Sequence, residues 1–478
     1  MNVKCILIGS LFTVSLQLAV LAAEFDFSAA YPRQAPNSSN STDLNGRALE
    51  DVEIDSQKKQ EWSIHLQTNY VEQRKNNFNS PISSTRSTSL LSRTDGDNNR
   101  SFSYSTTAYL GAKLWNGAEG FYNPEIFEGT PFTGALVGLG GFQNGELQKG
   151  TYIPAVAYNA RAFIRQTFGL GTGDQYIPEA TVNQLAQNGD KDKVVLTWGK
   201  VASLDFFDMN TFSHDPRSDF MNFSVFSMGA YGYAADPRGY TYGLIVEWYQ
   251  NDWILKAGRL ATPKVPNTLT MDYSLTKDFV DQIEFSHMHK IGNQPGALRG
   301  IVFRDHAYMT TYQDALNAGN LNLNDSFIGS RKINANYGYG FNAEQSLSAD
   351  LGVFARYSWN NDKSETNTLD VGSSFTLGSS LKGNRWGRVD DTFGLAWAAN
   401  NLSNEEVRYL QAGGQTAFIG DAPVSFLYKP EQILEAYYSA RIYKQSFLSA
   451  DFQRIQNPGY NLSRGPINVI SMRFHFEI

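Results

Sequence analysis

The chain contains one cysteine in 478 residues, Cys5. Everything after it is free of thiols, which excludes disulfides, iron–sulfur clusters and a cysteine nucleophile there. Long apolar runs are missing too: beyond the first two dozen residues nothing approaches the roughly eighteen continuous apolar residues of a membrane-crossing helix. Charge is sparse, with 18% Asp, Glu, Lys and Arg and a formal net charge of −7. That balance argues against a nucleic-acid partner. Residues 1–23 read as a signal peptide, with Lys4 as the basic start, an apolar core from Ile6 to Leu21, and Val20 and Ala22 at a small-residue cleavage site. Cys5 falls inside it without the flanking pattern of a lipid anchor.

What the chain has instead is glycine and aromatic residues: 41 Gly, 31 Phe, 25 Tyr and 8 Trp in a sequence only 41% apolar. Many short strands with one lipid face and one wet face would give this balance. So would a large secreted sandwich or propeller, and composition leaves both open.

The pattern along the chain is period two. Ile470, Met472, Phe474, Phe476 and Ile478 alternate with Ser471, Arg473, His475 and Glu477. The same rhythm runs through Trp62–Tyr70, Leu347–Ser358, Leu434–Tyr443 and Tyr240–Tyr249, where the first residue and its same-parity partners are expected to face hydrocarbon. Strands are predicted at 62–72, 104–114, 131–140, 157–168, 193–200, 240–250, 252–260, 279–289, 298–311, 332–343, 346–358, 368–380, 389–400, 430–444, 446–455 and 467–478. Sixteen is an even number, as a closed antiparallel bacterial barrel requires, and closure leaves no unpaired edge at membrane depth. Asn251 and Asp252 suit a tight turn. Polar stretches 73–100, 170–192, 312–331 and 359–367 read as loops. Residues 24–60 read as a flexible periplasmic extension ahead of a barrel domain spanning 61–478. The segment 201–239 breaks the rhythm: Phe206, Phe207, Phe212, Phe220, Phe223 and Phe226 are mixed with Asp205, Asp208, Asp215, Arg217, Asp236 and Arg238. Such a segment needs a protein surface to pack on. It is expected to be a long extracellular loop folded into the barrel, with its charges paired within the loop.

Several blocks resemble the carbohydrate-selective porin family of Gram-negative outer membranes, the OprB-like porins. They are Gly120-Phe121-Tyr122-Asn123-Pro124-Glu125, Gly140-Gly141-Phe142-Gln143-Asn144-Gly145-Glu146, Gly199-Lys200 through Leu204-Asp205-Phe206-Phe207-Asp208, Ser213-His214-Asp215-Pro216-Arg217, Ala235-Asp236-Pro237-Arg238-Gly239-Tyr240-Thr241, and Asp451-Phe452-Gln453 with Asn457-Pro458-Gly459-Tyr460-Asn461. The resemblance implies an all-β, closed antiparallel transmembrane barrel of sixteen strands in the outer membrane, passing monosaccharides and similar small polar solutes by diffusion. It implies contact with outer-membrane lipid and lipopolysaccharide and delivery by the barrel-assembly machinery, as monomer or trimer. Such barrels commonly end in Phe, whereas this chain has Ile478 with Phe476 two residues earlier. Strands from 263 to 380 match loosely, so solute preference transfers least. No catalytic residue, cofactor or metal is implied.

A sugar is uncharged and rich in hydroxyls, so its path needs paired donors and acceptors and aromatic faces, and weak binding. Arg161 and Arg165, four apart on one strand, form a candidate lumen ladder about 13 Å long, sharing a face with Asn159 and Thr167. The alternative is charge pairing with neighbouring strands. Arg356, Arg441 and Arg473 are candidate lumen donors, Glu247 and Glu435 candidate acceptors, and Glu125 a candidate constriction group. Asp236 and Arg238 are candidates for solute contact, against a role in holding the loop on the wall. Trp62, Tyr240, Tyr242, Trp248, Phe474 and Phe476 are expected at the lipid face. His287 and His289 form an HxH on one strand face without a third ligand, Met288 between them facing lipid. A basic lumen would instead favour small anionic hydroxy acids. A barrel enzyme or a plugged structural barrel are the remaining alternatives.

Overall fold

The computed structural model describes residues 59–80, 99–132, 138–150, 152–173, 175–178, 180–187, 189–323, 329–420 and 426–478, together with the backbone of 40–42 and 48–50. The expected leader lies outside the described residues, as does most of the 24–60 extension.

Sixteen strands form the barrel: β1 Trp62–Lys75, β2 Arg100–Trp115, β3 Ala118–Thr130, β4 Tyr152–Gly169, β5 Lys193–Val201, β6 Thr241–Gln250, β7 Trp253–Ala261, β8 Phe279–Ile291, β9 Gln294–Met309, β10 Lys332–Ser346, β11 Leu351–Asn360, β12 Ser373–Gly383, β13 Arg388–Asn401, β14 Glu431–Tyr443, β15 Ser446–Gln456 and β16 Ile467–Glu477. Each pairs antiparallel with its sequence neighbours, and β16 closes on β1 with Phe474 opposite Tyr70. Fifteen strands overlap the expected ones. The exception is β3, which occupies 118–130, while the described parts of 131–140 are not strand and 133–137 lie outside the described residues. Pro124 hid β3, because a proline argues against a sheet interior. Here it sits beside a bulge between Asn123 and Pro124, where a missing N–H is tolerated.

Alternation sorts the two faces. Ile283, Phe285, Leu298, Val302, Phe341, Leu377, Leu395 and Ile470 are exposed on the outside, as a lipid face requires. Trp62, Trp115, Trp198, Trp248 and Trp253 are also exposed there. Tyr240 departs from expectation: it lies just before β6, turns into the lumen and is buried. Phe476 is buried as well, at 8% exposure. His287 shares the outward parity of Phe285 and stacks on Trp253, with ring centres 4.0 Å apart. Met288 therefore has the inward parity, the reverse of the expected assignment.

One end of the barrel carries short turns at 116–117, 251–252, 292–293, 347–350, 384–387 and 444–445. Asn251 takes φ 51° at the expected turn. Gly117 takes φ 73°, and a Cβ there would lie 2.4 Å from the Thr167 carbonyl oxygen, so this turn admits only glycine. The other end carries the long connections, which include helix Tyr312–Asn317, where a loop was expected, and helix Asn404–Gln411. One long connection, 170–192, breaks the rule by belonging to the short-turn end.

Residues 202–240 fold into the barrel. Phe206, Phe207, Phe223, Phe226, Met228 and Tyr231 pack against inward residues Ile245, Val280, Ile301 and Phe303 of β6, β8 and β9. Phe220 and Val225 pack on Phe354, Ala396 and Tyr437 of β11, β13 and β14. The aromatic residues that broke the strand rhythm thus fill the inside of the barrel rather than its lipid face.

Candidate functional site

The inserted loop is held by charges on the wall, not by pairing within itself. Arg356 of β11, 2% exposed, donates to the Asp208 carboxylate at 2.9 Å and to the carbonyls of Ser213 and Val225 at 2.5 and 3.0 Å. Arg473 of β16 donates to the carbonyls of Pro216, Ser218 and Asp219 at 2.9, 2.6 and 2.7 Å. Glu435 of β14 accepts the backbone N–H of Met221 and Asn222. Glu344 of β10 accepts from the Thr211 N–H and hydroxyl. Hydrogen bonds to charged groups contribute about 1.5–3 kcal/mol each, so these residues fix the loop on one side of the lumen.

The tightest anchor joins three segments. Glu125 of β3 is buried. Its carboxylate accepts from Thr107, Tyr158 and Tyr240 hydroxyls at 2.6, 2.5 and 3.1 Å, and pairs with Arg217 at 2.7 Å and Lys149 at 2.8 Å. Arg217 and Lys149 also pair with Glu146, at 3.2 and 3.1 Å. Burial acts to raise the Glu146 pKa, but the Arg217 and Lys149 charges prevail and hold it below the usual carboxylate range. Two cations and two carboxylates therefore balance inside the barrel.

A cavity of about 330 Å³ opens beside this cluster, lined among others by Arg161, Arg165, Arg238, Asp205, Asn183 and Tyr240. Its size is at the lower end of small-molecule sites. Arg161 is bound by the Asp205 carboxylate through two bonds of 2.5 and 2.6 Å, and its guanidinium lies over the Tyr240 ring at 5.3 Å. Arg165 donates to the Asn183 carbonyl at 2.8 Å and lies 3.8 Å from Glu119. Arg238 lies over Tyr158 at 4.3 Å. Asp236 accepts the N–H groups of Arg238 and Tyr240, closing the turn that presents both to the cavity. Burial raises the pKa of Asp236 and also of Asp219, which the Asp215 charge pushes the same way.

The proposed residues thus divide. Arg161, Arg165 and Arg238 line one cavity, with Asp236 ordering its rim and Glu125 behind it. Arg356, Arg473 and Glu435 hold the loop. Glu247 is buried on the wall, accepting from the Tyr249 hydroxyl at 2.7 Å and lying 4.0 Å from Lys256. Arg441 lies at the short-turn end, paired with Asp390 at 2.8 Å. Asn159 does not share the Arg161 face: the β4 register shift opposite Pro124 places it on the outer side, where it accepts from Tyr122 and Lys200. Lys149, Glu146, Tyr158 and Asn183 were not anticipated. Glu146 closes the Asn144-Gly145-Glu146 block, but nothing in the sequence brings it beside Arg217.

Among the described residues no group of three or more His, Cys, Asp or Glu side chains could hold a metal ion. A closed barrel with short turns at one end, long connections at the other and a loop narrowing a polar lumen is an outer-membrane porin. The model of the carbohydrate-selective porin, OprB family, matches residues 98–478, and the chain belongs to that family. The high-pH structure of Pseudomonas putida OprB is 15% identical, with a TM-score of 0.62 over 87% of this chain and 94% of that one. The low-pH structure of the same protein is 13% identical over 87% and 92%, with a TM-score of 0.43. A porin mutant of Rh. blastica is 10% identical over 87% and 100%, with a TM-score of 0.42. No curated protein matches the chain.

Proposed function

We propose that this porin passes monosaccharides and similar small polyhydroxylated solutes passively, and that Arg161, Arg165, Arg238 and Asp205 are their contact residues. The observation that carries the reading is the near balance of charge at the cavity, five cations against four carboxylates. Lys149, Arg161, Arg165, Arg217 and Arg238 face Glu146, Asp205, Asp215 and Asp219 around it. Paired charges offer donors and acceptors to hydroxyls without a strong field for either ion sign. Tyr240, buried with Arg161 and Lys200 over its ring and its hydroxyl on Glu125, positions the Arg161 guanidinium at the cavity. Asp236 and Glu125 position these groups, while Arg356, Arg473 and Glu435 set the aperture by holding the loop.

The test is swelling of liposomes carrying the protein in isosmotic solutes. Glucose and arabinose should enter faster than gluconate. No swelling in sugars, or faster entry of the acid, would remove the sugar reading and favour a hydroxy-acid channel.

A further inference from the structure

The connection between β4 and β5 is out of place for its end of the barrel. Six other connections there span two to four residues, whereas this one runs from 170 to 192. Its residues 180–187 do not hang below the barrel. Leu185 is 1% exposed and packs in the cluster containing Phe121 and Phe163 of the inner wall and Phe206 of the loop inserted from the opposite end. Thr181 and Gln184 exchange main-chain hydrogen bonds of 3.2 and 3.1 Å, forming a tight turn with Asn183 at φ 60°. The wall holds that turn at its tip: Arg165 donates to the Asn183 carbonyl at 2.8 Å, and Asn123 donates to its side-chain oxygen at 2.9 Å. Behind the tip, Gln60 and Ala186 bond each other twice, at 3.0 and 3.1 Å. Val182, Asn183 and Gln184 face the same cavity as Arg161, Arg238 and Tyr240.

We infer that residues 180–187 form the floor of the solute chamber and act as a second, uncharged filter that sets the size of polyol able to leave toward the periplasm. This rests on the transport reading above. The extracellular loop supplies paired charges. The floor supplies an amide side chain, a main-chain turn and a valine, which carry no charge and reject by bulk. A solute must pass both inserts, one from each end, so size discrimination is not located in the charged loop alone.

Two variants test this beside the wild type in the same bilayers and liposomes: replacement of 180–187 by a short Gly-Ser linker, and Val182→Trp. Folding is checked by heat-modifiable gel mobility. The linker variant should conduct more than the wild type and lose its discrimination between monosaccharides and disaccharides. Val182→Trp should conduct less and slow monosaccharide entry. If the linker variant fails to fold, Val182→Trp decides alone. A conducting wild type matched by its folded variants overturns the floor and leaves transport standing. A silent wild type overturns the transport reading and the floor with it.

Discussion

Arg217→Met removes one cation from a buried group of four. Arg217 and Lys149 face Glu125 and Glu146, and the side chains are at most 8% exposed. The substitution leaves two carboxylates against one ammonium, and it strips a donor from Gln67 and Thr107. Removing one partner of a buried pair costs about 3–5 kcal/mol. The barrel ladders do not run through Arg217, so the cost falls on the loop: residues 213–219 should loosen from β1–β3 while Arg473 still holds their carbonyls. Glu125→Gln unbalances the cluster in the opposite direction, leaving two cations against Glu146. The double variant Arg217→Met/Glu125→Gln leaves Lys149 and Glu146 as a matched pair. It should therefore recover on the order of 2–3 kcal/mol relative to the sum of the single variants. Urea unfolding in lipid vesicles measures the cycle, and single-channel conductance reads the aperture, which should widen in the single variants. Additivity within about 0.5 kcal/mol, with conductance unchanged, would refute the view that this cluster clamps the constriction.

Burial raises the Asp370 pKa from 3.8 to about 7, and the nearby Asp362 charge adds to the shift. A raised carboxyl contributes its full stability below about pH 4 and loses it as pH climbs through about 7, a change on the order of 4 kcal/mol. Amides of 361–372 and 402–420, which pack around Asp370, Asp362 and Glu406, should be better protected from hydrogen exchange at pH 5 than at pH 8 after correction for intrinsic rates. Equal protection would contradict the neutral-carboxyl account. Leu377, 53% exposed on β12 between Ala355 and Trp397, faces hydrocarbon. Leu377→Arg should cost about 2–4 kcal/mol of folding into vesicles, while Leu377→Phe is tolerated. Arg238→Ala should weaken sugar block of the channel without altering heat-modifiable mobility; a mobility change would assign Arg238 to the scaffold.

Strands were legible wherever one face meets lipid and the other the lumen, because that difference writes itself as alternation. Phe375, Leu377, Leu395 and Ile470 all follow it. β3 was not, because Pro124 mimics a strand breaker and only the register shift beside it accommodates the ring. The same shift moved Asn159 to the outer face, an effect no period-two count contains. The inserted loop was visible as an excess of Phe and Asp, yet its partners were not. Arg356 meets Asp208 across 148 positions, and Arg217 meets Glu125 across 92. Charge type gave the possible partners and only the closed barrel chose among them. Tyr240 carries the same lesson. Its parity matched the lipid-facing Tyr242 and Trp248, but the strand begins one residue later and the preceding turn rotates it inward.

Single-channel recording of the refolded protein in planar bilayers, with glucose titrated against gluconate, tests the central claim most directly. The account predicts discrete open channels partly blocked by glucose in proportion to its concentration, with weaker block by gluconate. A folded barrel that never conducts, or one blocked by the acid and indifferent to the sugar, would contradict it.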